Sequence, residues 1–281
     1  MSRYFLRVDY KKRYGEWAVI SGATDGIGLA MAKVLARKGM SIVVLGRNEV
    51  KLANTKSLLE KEKNVGEVVT IKSDLSDPSK ENFNKLSSQL DAENRDIGIL
   101  INNAGMATKG GHFTLLDIEE SRDIINIHLL ATLQITKMVL PAMLRRNRGL
   151  VVTVSSLFGL VPIAHSGAYS PSKAFLRFWT RQLQMEYKSS SVEFVELTPG
   201  PVRTNLLDMN IRPEFIVPTA DSFAASAIPA ISTGIGRMSG ALVHGIVKEL
   251  VVLAETVGLS WIITWYNIYA FKVTPYKQEV R

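Results

Sequence analysis

Two residues in this chain stand where a proton transfer could be run. Tyr169 and Lys173 lie four residues apart in "AYSPSKAF", a spacing that stacks them on one face of a helix. A phenol is a poor acid at neutral pH, with an ordinary pKa of about 10. A fixed ammonium beside it favours the phenolate and makes it a better donor. The pair alone says little. With 8 tyrosines and 18 lysines in the chain, chance gives roughly half such a pair per sequence of this composition. Support has to come from residues elsewhere.

The first support is "SGATDGIG" at 21–28, which follows one apolar run and opens a helical pattern. Gly22, Gly26 and Gly28 let the backbone turn tightly and approach a pyrophosphate at the helix N-terminus. Thr24, Asp25 and Ile27 line the same turn. The second support lies at the end of the next apolar run. NAD sites commonly put a carboxylate there, against the ribose hydroxyls. Here the run ends in Gly46, Arg47 and Asn48. No acid is present, and a guanidinium can pair with a 2′-phosphate, so NADP(H) is the expected cofactor. An arginine on the surface with no ligand is the plain alternative.

These residues need a scaffold to hold them. Short apolar runs alternate with longer mixed segments, the pattern of parallel strands joined by crossover helices. Strands are predicted at 17–21, 41–46, 68–75, 97–105, 149–156 and 192–200, and helices at 26–40, 51–63, 117–146 and 168–188. The expected fold class is α/β. It is a Rossmann-type, doubly wound parallel sheet in three layers, α/β/α, with a C-terminal helical lid and tail. The chain divides into an N-terminal tail at 1–14, the Rossmann domain at 15–245 with a lid at about 206–237, and an apolar aromatic segment at 246–281.

Composition narrows the function classes. The 281 residues are 46% hydrophobic and 21% charged, which is globular. There is no cysteine, which excludes disulfides, thiolate nucleophiles and cysteine-based metal sites, and no metal centre is expected. The net charge of +8 comes without zinc-finger spacing, an RNA-recognition motif or a long basic run, so nucleic acid is not an expected partner. The first seventeen residues lack the apolar core of a secretory signal.

With these motifs in place the chain resembles the short-chain dehydrogenase/reductase family from about Gly15 to Thr204. The glycine turn, "NNAG" at 102–105, Ser156 thirteen residues before Tyr169, Lys173, and "PGPVRT" at 199–204 come in the family order. The resemblance implies that Asp74, with Leu75, lies near the adenine ring, and that Asn103, Ala104 and Gly105 line the cofactor. It puts Pro199, Gly200, Val202 and Thr204 at the nicotinamide end. Tyr169 becomes the general acid and base, and Lys173 its electrostatic partner that also binds the ribose. Ser156 hydrogen-bonds the substrate oxygen. "YGEWAVISGATDGIG", "GILINNAGM" and "VLPAML" are similar to one branch, the 17β-hydroxysteroid dehydrogenases of types 12 and 3 with the very-long-chain 3-oxoacyl-CoA reductases.

That branch implies an NADP(H)-dependent oxidoreductase acting on a lipid carbonyl or hydroxyl, a steroid or a fatty acyl-CoA. It implies a homodimer or homotetramer, and association with the endoplasmic reticulum membrane, with cytoplasm and mitochondrion as alternatives. The N-terminal membrane helix usual in the branch is not found. Membrane contact would rest on "LVVLAETVGLSWIITWYNIYAF" at 250–271, whose aromatic residues and following Lys272 suit an interface. A buried helix packing on the sheet is the other reading. In the lid, Met209, Ile211, Phe215, Ile216 and Val217 suggest an apolar ligand.

One position departs from the family. Thirteen residues before Pro141, where the family has a catalytic asparagine that holds a water beside the lysine, stands His128. Asn126 could substitute only if the helix register slipped. The departure leaves a second functional reading open: a cofactor-binding family member with impaired catalysis that acts through protein interaction.

Overall fold

The computed structural model describes residues 8–204 and 217–256. Seven parallel strands form one sheet in the order β3-β2-β1-β4-β5-β6-β7. They are β1 (Trp17–Ser21), β2 (Ser41–Gly46), β3 (Val68–Lys72), β4 (Ile97–Asn102), β5 (Gly149–Val154), β6 (Val192–Leu197) and β7 (Arg237–Met238). The chain works outward from β1 to β3 and then returns to pair β4 against β1. That reversal opens a crevice at the carboxyl ends of β1 and β4, where sheets of this kind take their ligands. The two inner strands are apolar along their length because both faces are covered by helices, as parallel sheets require.

One face carries α2 (Gly26–Arg37) and α8 (Ala220–Ile231). The other carries α4 (Lys80–Leu90) and α6 (Ala131–Arg145), with the inner side of α7 (Tyr169–Glu186). Helix α3 (Glu49–Glu60) flanks β2 and β3. Helix α5 (Ile118–Ile125) continues through a π turn at Asn126–Leu130 into α6. Within the resulting segment 118–145, one stretch of 18 residues is apolar enough to span a membrane, with a mean hydropathy of 1.4, but half of that stretch is buried. Ala131, Ile135, Val139, Leu140 and Met143 pack into the sheet, so this is a core helix.

Two sequence expectations need correction. Residues 10–14, expected to belong to a tail, form helix α1 (Tyr10–Tyr14), whose two tyrosines are 2% and 1% exposed. Their i, i+4 spacing puts both rings on one face, under the sheet. The Tyr10 hydroxyl donates to Ile228 O, and Arg13 donates to Ser232 O and pairs with Glu193. The second concerns the lid expected at 206–237. Its residues 220–231 form α8, whose Phe223, Ala224, Ala227, Ile228 and Ile231 are fully buried with α2. Small residues at helical spacing let the two helices approach closely. Arg237, in β7, completes the sheet and pairs through Nε with buried Glu196 of β6 at 2.9 Å. Val217 is itself a core residue. Met209, Ile211, Phe215 and Ile216 lie outside the described residues. The expected boundary at 245/246 falls inside helix α9 (Leu242–Thr256).

Candidate active site

The glycine turn between β1 and α2 sits directly on the turn after β4. Gly22 has φ +66°, and a Cβ there would lie 2.8 Å from Ala104 Cα. A Cβ at Gly28 would come within 2.5 Å of both Asn103 Nδ2 and Gly22 O. Any larger residue at either position would force the two turns apart. Ser21, which the sequence reading passed over, locks them: its Oγ accepts from the N–H groups of Asn103 and Ala104, each at 3.0 Å. The Asn103 amide donates back to Ser21 O at 3.0 Å and Gly22 O at 3.2 Å. Asn102 points the other way, its amide donating to Thr136 Oγ1 of α6 at 2.9 Å. The first two motifs thus form one rigid cradle at the switch point of the sheet, with α2 opening from it behind its cap Asp25.

The adenosine side is more open. Arg47 and Asn48 follow β2 on the surface, and Asn48 caps α3 by accepting from Lys51 N–H. Lys51 Nζ lies 3.7 Å from Asp25 Oδ2, so α3 is tied by an ion pair to the glycine turn. The nearby carboxylate of Glu49 is drawn away by Lys72 at 2.8 Å, whose hydrogen bond and charge hold the Glu49 pKa below the ordinary carboxylate value. Asp74 accepts from Ser76 N–H and Oγ–H, and Leu75 is packed in the core. Asn126 does not approach the lysine: its amide donates to Ser76 O at 2.9 Å, so the helix register has not slipped.

At the other end, β5 delivers Ser155 and Ser156, and α7 delivers Tyr169 and Lys173. Lys173 is 5% exposed, and its ammonium donates to Val154 O at 3.0 Å. Burial pulls its pKa down to about 8. Ser155 Oγ donates to Lys173 O, which ties the end of β5 to α7. A Cβ at Gly159 would meet Lys173 carbonyl carbon at 2.6 Å, so the turn after β5 lies flat on α7. Tyr169 is half-buried between Phe158 and His128, with edge-on ring contacts at 6.2 and 5.6 Å. Burial raises its pKa above 10, and the hydrogen bond from Ser156 is the counterweight. This differs from the sequence expectation, in which the lysine charge lowers the phenol. Lys173 Nζ stands over the ring, 5.8 Å from its centroid, and its charge is turned to the Val154 carbonyl.

His128 is fully buried in the π turn. Its Nε2 accepts from Met106 N–H at 3.1 Å, and its Nδ1 lies 2.7 Å from Ser172 Oγ. Burial, then the charge of Lys173, holds its pKa well below 6.5. At the third corner, Gly200 packs against His244 of α9, and Val202 is 2% exposed in the core. Thr204 stands against Gly26 of the glycine turn. The expected cofactor residues Gly22, Gly26, Gly28, Asn103, Ala104 and Thr204 are therefore brought together. Ser21, Lys51 and Ser172 had no signal in the sequence beyond their neighbours.

Comparison with known proteins agrees with this geometry. Residues 16–214 match the family model described as short chain dehydrogenase. The chain is 34% identical over 241 residues to a very-long-chain 3-oxoacyl-CoA reductase of Mus musculus, covering 85% of this chain and 75% of the relative. It is also 34% identical over 246 residues to the inactive hydroxysteroid dehydrogenase-like protein 1 of Homo sapiens, covering 85% and 72%. Among solved structures, a short-chain dehydrogenase from Sphingobium yanoikuyae in complex with NADPH superposes with a TM-score of 0.73 at 24% identity, covering 94% of this chain and 98% of that one.

Proposed function

The chain belongs to the short chain dehydrogenase family, and from that premise we propose that it is an NADP(H)-dependent oxidoreductase acting on an apolar carbonyl or hydroxyl compound. A 3-oxoacyl-CoA or 17-ketosteroid type of substrate fits best. One observation carries the reading: Ser156, Tyr169 and buried Lys173 converge beside the rigid cradle of Gly22, Gly28 and Asn103. That cradle has the close backbone approach a dinucleotide pyrophosphate needs. Exposed Arg47 at the end of β2, with the Glu49 carboxylate held by Lys72, supports a ligand bearing a 2′-phosphate.

When bound, NADPH supplies the hydride that reduces a carbonyl carbon. The protein's part is the proton and the developing charge. Tyr169, kept protonated by burial, donates to the substrate oxygen as that oxygen gains charge. Ser156 hydrogen-bonds the same oxygen and stabilises its negative charge. Lys173, its ammonium 5.8 Å from the phenol ring centroid and anchored on Val154 O, lies close enough to act on the bound cofactor and the phenolate formed. The oxidation direction uses the same groups with Tyr169 as base.

The test uses purified protein, NADPH and a panel of 3-oxoacyl-CoA thioesters and 17-ketosteroids, followed by absorbance at the NADPH band. Turnover should fall about 10²- to 10⁴-fold in Tyr169→Phe. A mutant with undiminished turnover would remove Tyr169 from the role of acid. Arg47→Ala should reduce the preference for NADPH over NADH by roughly 10-fold or more, the worth of a charge-assisted hydrogen bond. Selectivity that survives the substitution would remove Arg47 from the 2′-phosphate site. A second reading, a cofactor-binding protein with little catalysis, is favoured by the relative named inactive and by the histidine at 128. NADPH binding without turnover on the whole panel would select it.

A further inference from the structure

Four polar groups form an unbroken chain from the cofactor cradle to the backbone of the candidate acid. Met106 follows the "NNAG" turn, and its N–H donates to His128 Nε2 at 3.1 Å. Ser172 Oγ–H donates to Tyr169 O at 2.7 Å, which uses the one proton the hydroxyl has. The 2.7 Å contact between Ser172 Oγ and His128 Nδ1 must then run from ring to hydroxyl. Nε2 accepts and Nδ1 donates, so the ring is neutral with its proton on Nδ1. Both nitrogens are occupied by protein groups, and the side chain is fully buried. A Cβ at Gly105 would lie 3.0 Å from Nε2 and 3.7 Å from Lys173 Nζ, so the ring fills the space between the β4 turn and the lysine.

We propose that His128 is a positioning residue, fixed as the neutral Nδ1–H tautomer, that joins the β4 turn to α7 through Met106 and Ser172. It sets Tyr169 relative to the cofactor cradle and does not itself carry protons. Neither nitrogen has a position left for a water of the kind the family asparagine holds. Protonation would set an Nε2–H against the Met106 N–H and add a charge beside Lys173. Among the described residues, the titratable groups facing the ring are Lys173 and Tyr169, both from α7, and the β4 turn brings Gly105 and Met106. The depressed pKa of the ring agrees with this arrangement. The inference rests on the oxidoreductase reading for its kinetic consequence, and on geometry alone for the tautomer.

Two measurements test it. The chain has 4 histidines, so multiple-bond ¹H–¹⁵N spectra can be assigned by the signal lost in His128→Gln. The expected pattern is a proton on Nδ1 and none on Nε2, unchanged from about pH 5.5 to 8 around the ordinary histidine value. A proton on Nε2, or titration inside that range, overturns the proposal. The second measurement compares three variants. An asparagine amide reaches about as far as Nδ1 and keeps the Ser172 contact. A glutamine oxygen reaches about as far as Nε2 and keeps the Met106 contact. Phenylalanine keeps the bulk and neither bond.

His128→Phe should speed amide exchange at Met106 and lower kcat by about 10- to 100-fold with little change in NADPH affinity, as a sub-ångström displacement of reacting groups does. The Asn and Gln variants should each recover part of that loss, and all three should keep the wild-type shape of the kcat–pH profile. A lost limb in that profile, or rescue by added imidazole, would make the ring a proton carrier and overturn the proposal. An unchanged kcat and unchanged Met106 exchange in His128→Phe would overturn it as well. Should wild type reduce no carbonyl, the functional reading fails, and the tautomer and the Met106 exchange still decide this inference.

Discussion

Lys173 holds its charge inside the protein against a single backbone carbonyl, and that has a thermodynamic cost. Burial lowers its folded pKa to about 8 from an ordinary 10.5. Between those values the unfolded chain binds more protons than the folded one, so stability rises with pH. Below pH 8 the whole penalty is present; by about pH 10.5 it is gone. Replacing the ammonium by a methyl thioether in Lys173→Met removes the penalty at every pH. The mutant's stability relative to wild type should therefore decline by roughly 3 kcal/mol as pH rises from 7 to 10.5, as read by denaturant titration. A difference that stays flat would mean that Lys173 is not buried as a charge. The identity of these residues was legible in the sequence because Ser156, Tyr169, Lys173 and the glycines stand at family spacing. The direction of the Tyr169 shift was not. It depends on which carbonyl the ammonium faces and how much of the phenol is covered, and spacing carries neither.

Strand–helix alternation revealed six of the strands and the main helices, because buried parallel strands are short uninterrupted apolar runs. It ended β1 and β2 where the structure does and stopped the other four late, since the small residues after β4 and β5 bend away to form the site. The predicted helix over 117–146 is continuous in outline but carries a π turn at Asn126–Leu130. That wider turn cannot be read from periodicity; within it His128 faces Gly105 while the Asn126 amide donates to Ser76 O. Helix α8 was taken for lid because the family resemblance puts a lid over about 206–237, and its small residues and proline gave no contrary signal. Those small residues are instead a packing surface. Phe223 is fully buried there, against α2 on one side and the His244 ring on the other, 5.8 Å away. Phe223→Ala should lower the unfolding free energy by about 3–5 kcal/mol, the usual cost of emptying such a site. A loss below about 1 kcal/mol would show that α8 is loosely docked.

The outer surface of the molecule leaves large apolar side chains in water. Phe178 and Met185 on α7 are 74% and 71% exposed, and Ile118 at the start of α5 is 68% exposed. Exposed apolar surface on a single helix face is characteristic of contact between proteins. We expect self-association through α7, with the sedimenting mass of a dimer or larger that falls to the monomer in Phe178→Glu/Met185→Glu. A wild type that sediments as a monomer at all concentrations overturns this. None of this was legible as exposure in the sequence, because composition and spacing do not say which apolar helix residues find a partner. Helix α9 also bears Ile246, Leu250 and Leu253 at 56%, 59% and 56% exposure, spaced along one face. The opposite end of the protein behaves differently. Helix α1 runs straight into β1 at the amino ends of the strands, and Tyr10, Tyr14 and Arg13 clamp it to α8 and β6. The cradle and Tyr169 lie at the carboxyl ends, across the full depth of the sheet. A linker, affinity handle or solid support joined ahead of residue 8 would therefore pull on a firmly seated base plate. The mouth of the site would point away from the attachment, free to receive cofactor from solution.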